Sequence, residues 1–403
     1  MKRRDDQSMK EKLIYFDNAA TTFPKPVSVP AAVSGCIQRY GGNPGRGSHR
    51  LSTLASDLIY ACRESASDFF GCEPEQVAFT YSATYALNMA IKGLLHPGAH
   101  VLISGMSHNA VYRPVFSAAN SASNTAAETD TEQNGISFEV YPHRPGDTAE
   151  EILSGIEKMI RPETAMIIST HMANICSAVE PIEQIGALCR QKNIKFVVDG
   201  AQSAGHLPMD VKKMNITALC VPGHKGLYGV QGIGMLICGD NETKFSTLIE
   251  GGSGINSLDS AMPEILPEHF EAGTPGTPAI AGLLAGLNWV KQVGIEELHE
   301  HSAALSSYLW NELSSDPFFT VYGSGDGGVV SFNAEGFSPA AVAQYLSDNG
   351  ICTRSGYHCA PVAHRSVGSF ENGSIRVSFS YMNSVREVNV LLDHLTKLKR
   401  QGV

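Results

Sequence analysis

No stretch of this chain reaches 18 consecutive apolar residues, so no segment has the length and apolarity of a transmembrane helix. The charged opening, Met1 to Leu13, lacks the apolar run of a secretory signal. Positive charge is in short supply. Against 40 Asp and Glu stand 30 Lys and Arg, a net charge of −10, which disfavours nucleic acid or an anionic membrane as the main partner. Paired cysteines are missing as well: the nine thiols are odd in number and spread singly with no CxxC, so neither a disulfide framework nor a structural zinc site is indicated. The expectation is a cytoplasmic protein with free thiols and no metal. What is present is apolar: 43% hydrophobic against 17% charged residues excludes a disordered or coiled-coil chain. A length of 403 residues calls for two or three domains, or one large α/β unit with a smaller lobe.

Short apolar runs at Val77–Thr80, Val101–Ser104, Phe138–Tyr141, Ala165–Thr170, Phe196–Val198, Ala218–Val221 and Gly234–Cys238 read as strands. Helical patterns separate several of them (Ala83–Leu95, Ala149–Ile160, Pro181–Lys192). This alternation predicts an α/β fold, a doubly wound and mainly parallel sheet whose ligands bind at the carboxyl ends of the strands. Five such ends are polar: Ser82-Ala83-Thr84, Ser107-His108-Asn109, His171-Met172-Ala173-Asn174, Asp199-Gly200-Ala201-Gln202 and Gly223-His224-Lys225. Asn120–Gly135 and Glu250–Glu268 read as loops, the second long enough to be functional. Beyond Pro278 the pattern becomes that of a smaller α+β lobe: helices at Ala279–Val293, Glu296–Leu313, Pro339–Asn349 and Val385–Lys399, and strands at Phe319–Tyr322, Val329–Asn333, near Ile351–Arg354 and at Ile375–Ser380.

Each polar end has a plain structural explanation when taken alone. Lys225 in Gly223-His224-Lys225-Gly226 is either a turn lysine or a desolvated amine suited to Schiff-base chemistry. The glycines that follow it precede a strand, which excludes a dinucleotide fingerprint. Asp199 is either a loop cap or a buried carboxylate in need of a cation such as a protonated pyridine nitrogen. Ser82-Ala83-Thr84 is either a helix cap or an anion cradle, and His108 is either structural or able to stack on a ring and move protons.

Together, with Tyr15-Phe16-Asp17-Asn18-Ala19-Ala20-Thr21-Thr22, Asn43-Pro44-Gly45-Arg46-Gly47-Ser48-His49, Phe270-Glu271-Ala272-Gly273-Thr274 and Arg354-Ser355-Gly356-Tyr357-His358-Cys359, these motifs resemble the fold-type I pyridoxal phosphate enzymes. Within that group the chain resembles the class V aminotransferases, and among them the cysteine desulfurase and selenocysteine lyase family. The resemblance implies a pyridoxal 5'-phosphate cofactor with Lys225 as its Schiff-base lysine. Asp199 would face the pyridine nitrogen, Gln202 the phenolic oxygen and His108 the ring face. Ala83, Thr84 and His224 would hold the phosphate, with Thr274 reaching in from the second subunit of a homodimer. Asn174, close to the cofactor, would bind the substrate carboxylate with Arg376, while His49 and Arg354 line the pocket. Cys359 falls where the family keeps its sulfur acceptor, and the 17 positions from it to Arg376 resemble the branch with a compact cysteine loop.

The implied reaction turns L-cysteine into L-alanine with the sulfur left on Cys359, and the implied catalytic residues are Lys225, Cys359 and His108. Selenocysteine lyase, an aminotransferase or β-lyase on another amino acid, and a non-catalytic scaffold are the rivals; a sulfur-acceptor protein is a further partner left open. The expected division is 27–278 for the large cofactor-binding domain, 12–26 with 279–403 for the small domain carrying the cysteine, and 1–11 as a flexible extension. Two positions depart from the family pattern. Pro222 stands where a phosphate-binding Ser is common, and Ser82 where a Gly is common. Since proline offers neither hydroxyl nor N–H, part of the phosphate grip must come from elsewhere.

Overall fold

The computed structural model describes residues 13–45, 47, 49–124 and 135–401. The expected extension at 1–11, and most of the expected loop after Asn120, lie outside the described residues. In chain order the elements are β1 (Ile14–Tyr15), α1 (Ser28–Arg39), α2 (Arg50–Phe70), β2 (Val77–Thr80), α3 (Ala83–Leu94), β3 (His100–Ser104), α4 (Asn109–Asn124), β4 (Ser137–Tyr141), α5 (Ala149–Met159), β5 (Thr164–Thr170), α6 (Ile182–Lys192), β6 (Lys195–Asp199), β7 (Ala218–Pro222) and β8 (Gly234–Cys238). The second part has α7 (Thr277–Val293), α8 (Ile295–Ser314), β9 (Phe319–Tyr322), β10 (Val329–Ala334), α9 (Pro339–Asp348), β11 (Ile351–Cys352), β12 (Arg354–Gly356), α10 (Pro361–Ser366), β13 (Ser374–Ser378) and α11 (Val385–Gln401).

The large sheet has the order β2-β8-β7-β6-β5-β3-β4. Only β8 runs antiparallel to its neighbours; the rest are parallel. Its central strands are buried on both faces, which explains why they appear in the sequence as unbroken apolar runs. Alternate side chains go to opposite layers. Ile167, Phe196, Val198, Leu219 and Ile237 pack with Ile185 of α6 and Leu283 of α7. Met166, Ile168, Val197, Cys220 and Leu236 pack with Leu87 and Ile91 of α3 and with Val111 of α4. The result is a three-layer α/β unit with the carboxyl ends of β2, β3, β5, β6 and β7 on one edge.

The second part has its own core, in which Phe16 joins Leu305, Val330, Phe332, Ile375 and Leu391. It is built on the antiparallel sheet β12-β13-β10-β9 and the parallel pair β1-β11. Two local readings of the sequence need correction. The expected loop from Asn120 begins later, because α4 continues to Asn124, with the Asn120 amide donating to Phe116 O one turn back. The strand expected near Ile351–Arg354 is two strands in different sheets, since the chain changes partner at Thr353, from Ile14 and Tyr15 to residues 374–376.

Candidate active site

All five polar strand ends contribute to one cavity lined by Ala83, Thr84, His108, Thr170, Asn174, Asp199, Gln202, Pro222, His224 and Lys225, among others. The helix α3 starts here because Ser82 caps it, its hydroxyl accepting the Tyr85 N–H at 3.3 Å. The cap leaves the Ala83 and Thr84 N–H groups without an acceptor, at the positive end of the helix. Gly234 lets β8 press against this turn, since a Cβ there would lie 2.7 Å from the Ser82 backbone.

Lys225 lines the cavity, its amine with no hydrogen-bond partner or ion pair among the described residues. Loss of hydration brings its amine down to about 8, the Asp199 charge opposing. Asp199, at the end of β6, is buried, and its carboxylate accepts one backbone hydrogen bond, from Ala201 N at 3.0 Å. Burial pushes its carboxyl up, while that bond and the Lys225 charge pull it down. His108 accepts the Ala110 N–H on Nδ1 at 3.0 Å. Desolvation, with Lys225, Arg376, Arg354 and Arg113 around it, lowers the ring to about 4, so it is neutral at pH 7 with the proton on Nε2. The Gln202 amide donates to Ala19 O at 2.9 Å. Several polar atoms here are buried and unpartnered: Thr170 Oγ1, His171 Nδ1, Asn174 Oδ1 and His224 Nδ1.

Cys359 is exposed, whereas the other eight cysteines are buried or half-buried. It lines a second cavity that shares Thr84, His108 and Ala110 with the first. Its turn is unusual: His358 and Cys359 both take positive φ, 49° and 56°, a conformation that costs non-glycine residues about 1 kcal/mol or more each and persists only where neighbours impose it. Cys359 O accepts from Asn109 N at 2.7 Å and His358 O from Asn174 Nδ2 at 2.9 Å. Behind the turn His358, His364 and Ser369 form a buried chain. His358 Nδ1 meets His364 Nε2 at 3.2 Å, and His364 Nδ1 meets Ser369 Oγ at 2.7 Å. His358 Nε2 lies 3.4 Å from the Arg354 carbonyl. A carbonyl only accepts, so the protons run one way along the chain, from Ser369 through His364 and His358 to Arg354 O.

Arg376, at 2% exposure, stands behind Asn174, donating to its carbonyl at 3.1 Å and to Asp17 Oδ1 at 2.7 Å. Arg354 is more exposed, 4.0 Å from the other Asp17 oxygen. Besides Cys359, four expected site residues do not line the Lys225 cavity: the two arginines just described, His49 and Thr274. His49 is exposed and caps α2, accepting Ser52 N on Nδ1. Thr274 lines a separate surface depression with Tyr81, Tyr85 and Ile249. Two residues of the site carry no role in the sequence reading. Asp17 is one, although it lies inside the quoted Tyr15–Thr22 motif. Lys25 is the other; its amine donates to His224 O at 2.7 Å and Thr22 Oγ1 at 2.6 Å. Nothing in its local sequence distinguishes Lys25 from a surface lysine.

The model of the family described as aminotransferase class-V matches residues 14–391. The chain belongs to that family. A probable cysteine desulfurase of Pyrococcus abyssi is 32% identical, with 98% of this chain and 96% of that protein covered. Another, of Methanothermobacter thermautotrophicus, is 28% identical over 99% and 98%. The solved apo structure of a cysteine desulfurase from Thermococcus onnurineus superposes with a TM-score of 0.86 at 30% identity, covering 99% of this chain and 98% of that one.

Class-V enzymes work with pyridoxal 5'-phosphate, and the residues of this cavity fit it. A lysine amine free of partners, a buried carboxylate short of a cation, two open helix N–H groups and an unpartnered His224 nitrogen match in turn the aldehyde, pyridine nitrogen and phosphate of that cofactor. Pro222 lines the same cavity without a polar hydrogen to offer a phosphate.

Proposed function

We propose that the chain is a cysteine desulfurase that moves sulfur from L-cysteine to Cys359. The observation carrying this reading is the adjacency of two cavities through His108, one holding a buried, partnerless lysine and the other the exposed cysteine. Lys225 would hold pyridoxal 5'-phosphate by its aldehyde carbon, Asp199 by its pyridine nitrogen and Gln202 by its phenolic oxygen, with Ala83, Thr84 and His224 at its phosphate. When bound, the cofactor supplies an acceptor for the electron pair released at the substrate Cα.

The chain supplies the rest. Arg376, freed from Asp17, and Asn174 bind the substrate carboxylate, with Arg354 at the outer edge. Lys225, its amine lowered to about 8, takes the Cα proton and later returns it. The Cys359 thiolate attacks the substrate sulfur. A Cys359 S–S bond forms as the substrate C–S bond breaks, and the thiol proton stays on the transferred sulfur. The carbon fragment accepts one proton at Cβ and leaves as alanine. His108, kept neutral by burial and by the cations around it, offers Nε2–H to steady the substrate sulfur. After L-cysteine, mass spectrometry should find one added sulfur on Cys359, absent in Cys359→Ala. Wild-type alanine production by Cys359→Ala would overturn the reading.

The working units inferred are 27–278 as cofactor domain and 12–26 with 279–403 as the lobe that presents Cys359, a division supported by the separate core around Phe16. Thr274 lies outside its own chain's Lys225 cavity, beside the exposed Tyr81 and Tyr85, which supports a homodimer in which Thr274 and His49 complete the partner's site. Light scattering should give twice the 43.1 kDa chain mass. No helix of the described residues is long and apolar enough to cross a membrane; we place the enzyme in the cytoplasm, where Cys359 stays reduced.

A further inference from the structure

The cavity holding Cys359 carries charge of one sign. Two helices each turn a polar stripe into it at four-residue spacing: Thr84, Asn88 and Lys92 from α3, and Asn109, Arg113 and Ser117 from α4. Lys92 and Arg113 are exposed, and neither has an ion-pair or hydrogen-bond partner among the described residues. Among the described residues no Asp or Glu lines the cavity, in a chain whose net charge is −10. Two unpaired cations against that balance mark a place for an anion. Meanwhile the Cys359 turn is held from both sides, by Asn109 N and by Asn174 Nδ2. A cysteine anchored in this way does not travel to meet an acceptor, so an acceptor must enter. The cavity, about 380 Å³ and open to solvent, is of the size that takes a small molecule.

We propose that this cavity admits a small thiol bearing carboxylates, which takes the sulfur from Cys359 while Lys92 and Arg113 hold its carboxylates; the proposal rests on the desulfurase reading above. The acceptor thiolate attacks the outer sulfur of the Cys359 persulfide. A new S–S bond forms, the bond from Cys359 Sγ to that sulfur breaks, and the electron pair remains on Sγ as thiolate. The proton on the outer sulfur travels with it, so no outside oxidant or reductant is required. The two cations concentrate the anionic thiol and favour its thiolate form.

The test uses holoenzyme loaded with L-cysteine, with the added sulfur on Cys359 first verified by mass. Its discharge is then timed with mercaptosuccinate, 2-mercaptoethanol and cysteamine at equal thiolate concentration. Mercaptosuccinate should act about tenfold faster than 2-mercaptoethanol, with cysteamine slowest, and the advantage should shrink as salt rises. The ratio of the mercaptosuccinate to the 2-mercaptoethanol rate should fall several-fold in Lys92→Gln and in Arg113→Gln, while Arg113→Lys keeps it. Equal rates for the three thiols, a ratio unmoved by both Gln variants, or discharge only by a thiol carried on a protein such as reduced thioredoxin would each overturn the proposal. Absence of sulfur on Cys359 after L-cysteine would instead overturn the desulfurase reading, and this proposal with it.

Discussion

Lys225 and Cys359 line neighbouring cavities that share His108, yet their surroundings are built on opposite plans. Around Lys225 polar atoms are left without partners: Thr170 Oγ1, His171 Nδ1, Asn174 Oδ1 and His224 Nδ1. Unpaired buried groups of this kind cost about 1–3 kcal/mol each, and a bound ligand that supplies their partners recovers that cost. Around Cys359 the reverse holds. The side chain is exposed, while the backbone that carries it is bonded to Asn109 and Asn174 and backed by the His358–His364–Ser369 chain. One region is unfinished until a ligand arrives; the other is complete and presents a single reactive atom. The chemistry is thus divided between a place that captures and a place that holds still.

The comparison can be broken most sharply at Lys225. Lys225→Ala should lose borohydride-trappable cofactor and slow alanine formation by about 10²–10⁴-fold, while iodoacetamide still alkylates Cys359 at close to the wild-type rate. A large change in that alkylation would show that the two regions are not independent. Next comes Arg376, whose guanidinium donates to Asp17 and to Asn174 O. Loss of a charged hydrogen bond worth about 1.5–3 kcal/mol predicts that Arg376→Gln raises the KM for L-cysteine by about ten- to a hundredfold, read from initial rates.

The capture region also has a pH signature. Attack by Lys225 on the cofactor aldehyde needs the neutral amine, and burial lowers that amine to about 8. Below this pH the protonated fraction grows, so the rate at which cofactor-free protein binds pyridoxal phosphate covalently should fall about tenfold per pH unit and level off above it. A midpoint near the ordinary lysine value would contradict the desolvated setting. The smallest effect belongs to the holding region. His364→Phe keeps the packing of a buried ring but leaves His358 Nδ1 and Ser369 Oγ unpartnered, a loss of about 1–3 kcal/mol. It should lower the melting temperature by a few degrees and slow alkylation of Cys359, with cofactor capture unchanged.

Much of this arrangement is legible in the order of the amino acids. The runs Val77–Thr80 and Gly234–Cys238 are strands over the very residues that their apolarity marks, because a strand buried on both faces needs no partner to be recognised. The polar ends after β2, β3, β5, β6 and β7 stand out because strand ends of a parallel sheet share one edge. Asp17 and Lys25 are hidden for the opposite reason. The Asp17–Arg376 pair joins residues 359 positions apart, and Lys25 matters through the carbonyl of His224, 199 positions away. Neither contact leaves a trace in local periodicity.

Short-range patterns of apolar and polar residues dictate the layer architecture and the chemical kinds of group at the strand ends, so both can be read along the chain. The chain likewise carries nine cysteines, one of them in the Gly356–Cys359 motif. Tertiary packing is what makes this cysteine exposed and anchored, lines its cavity with Lys92 and Arg113, and sets Thr274 away from its own chain's lysine. Exposure, anchoring and charge around a site depend on which distant segments come together, and that close packing is a property of the whole folded chain.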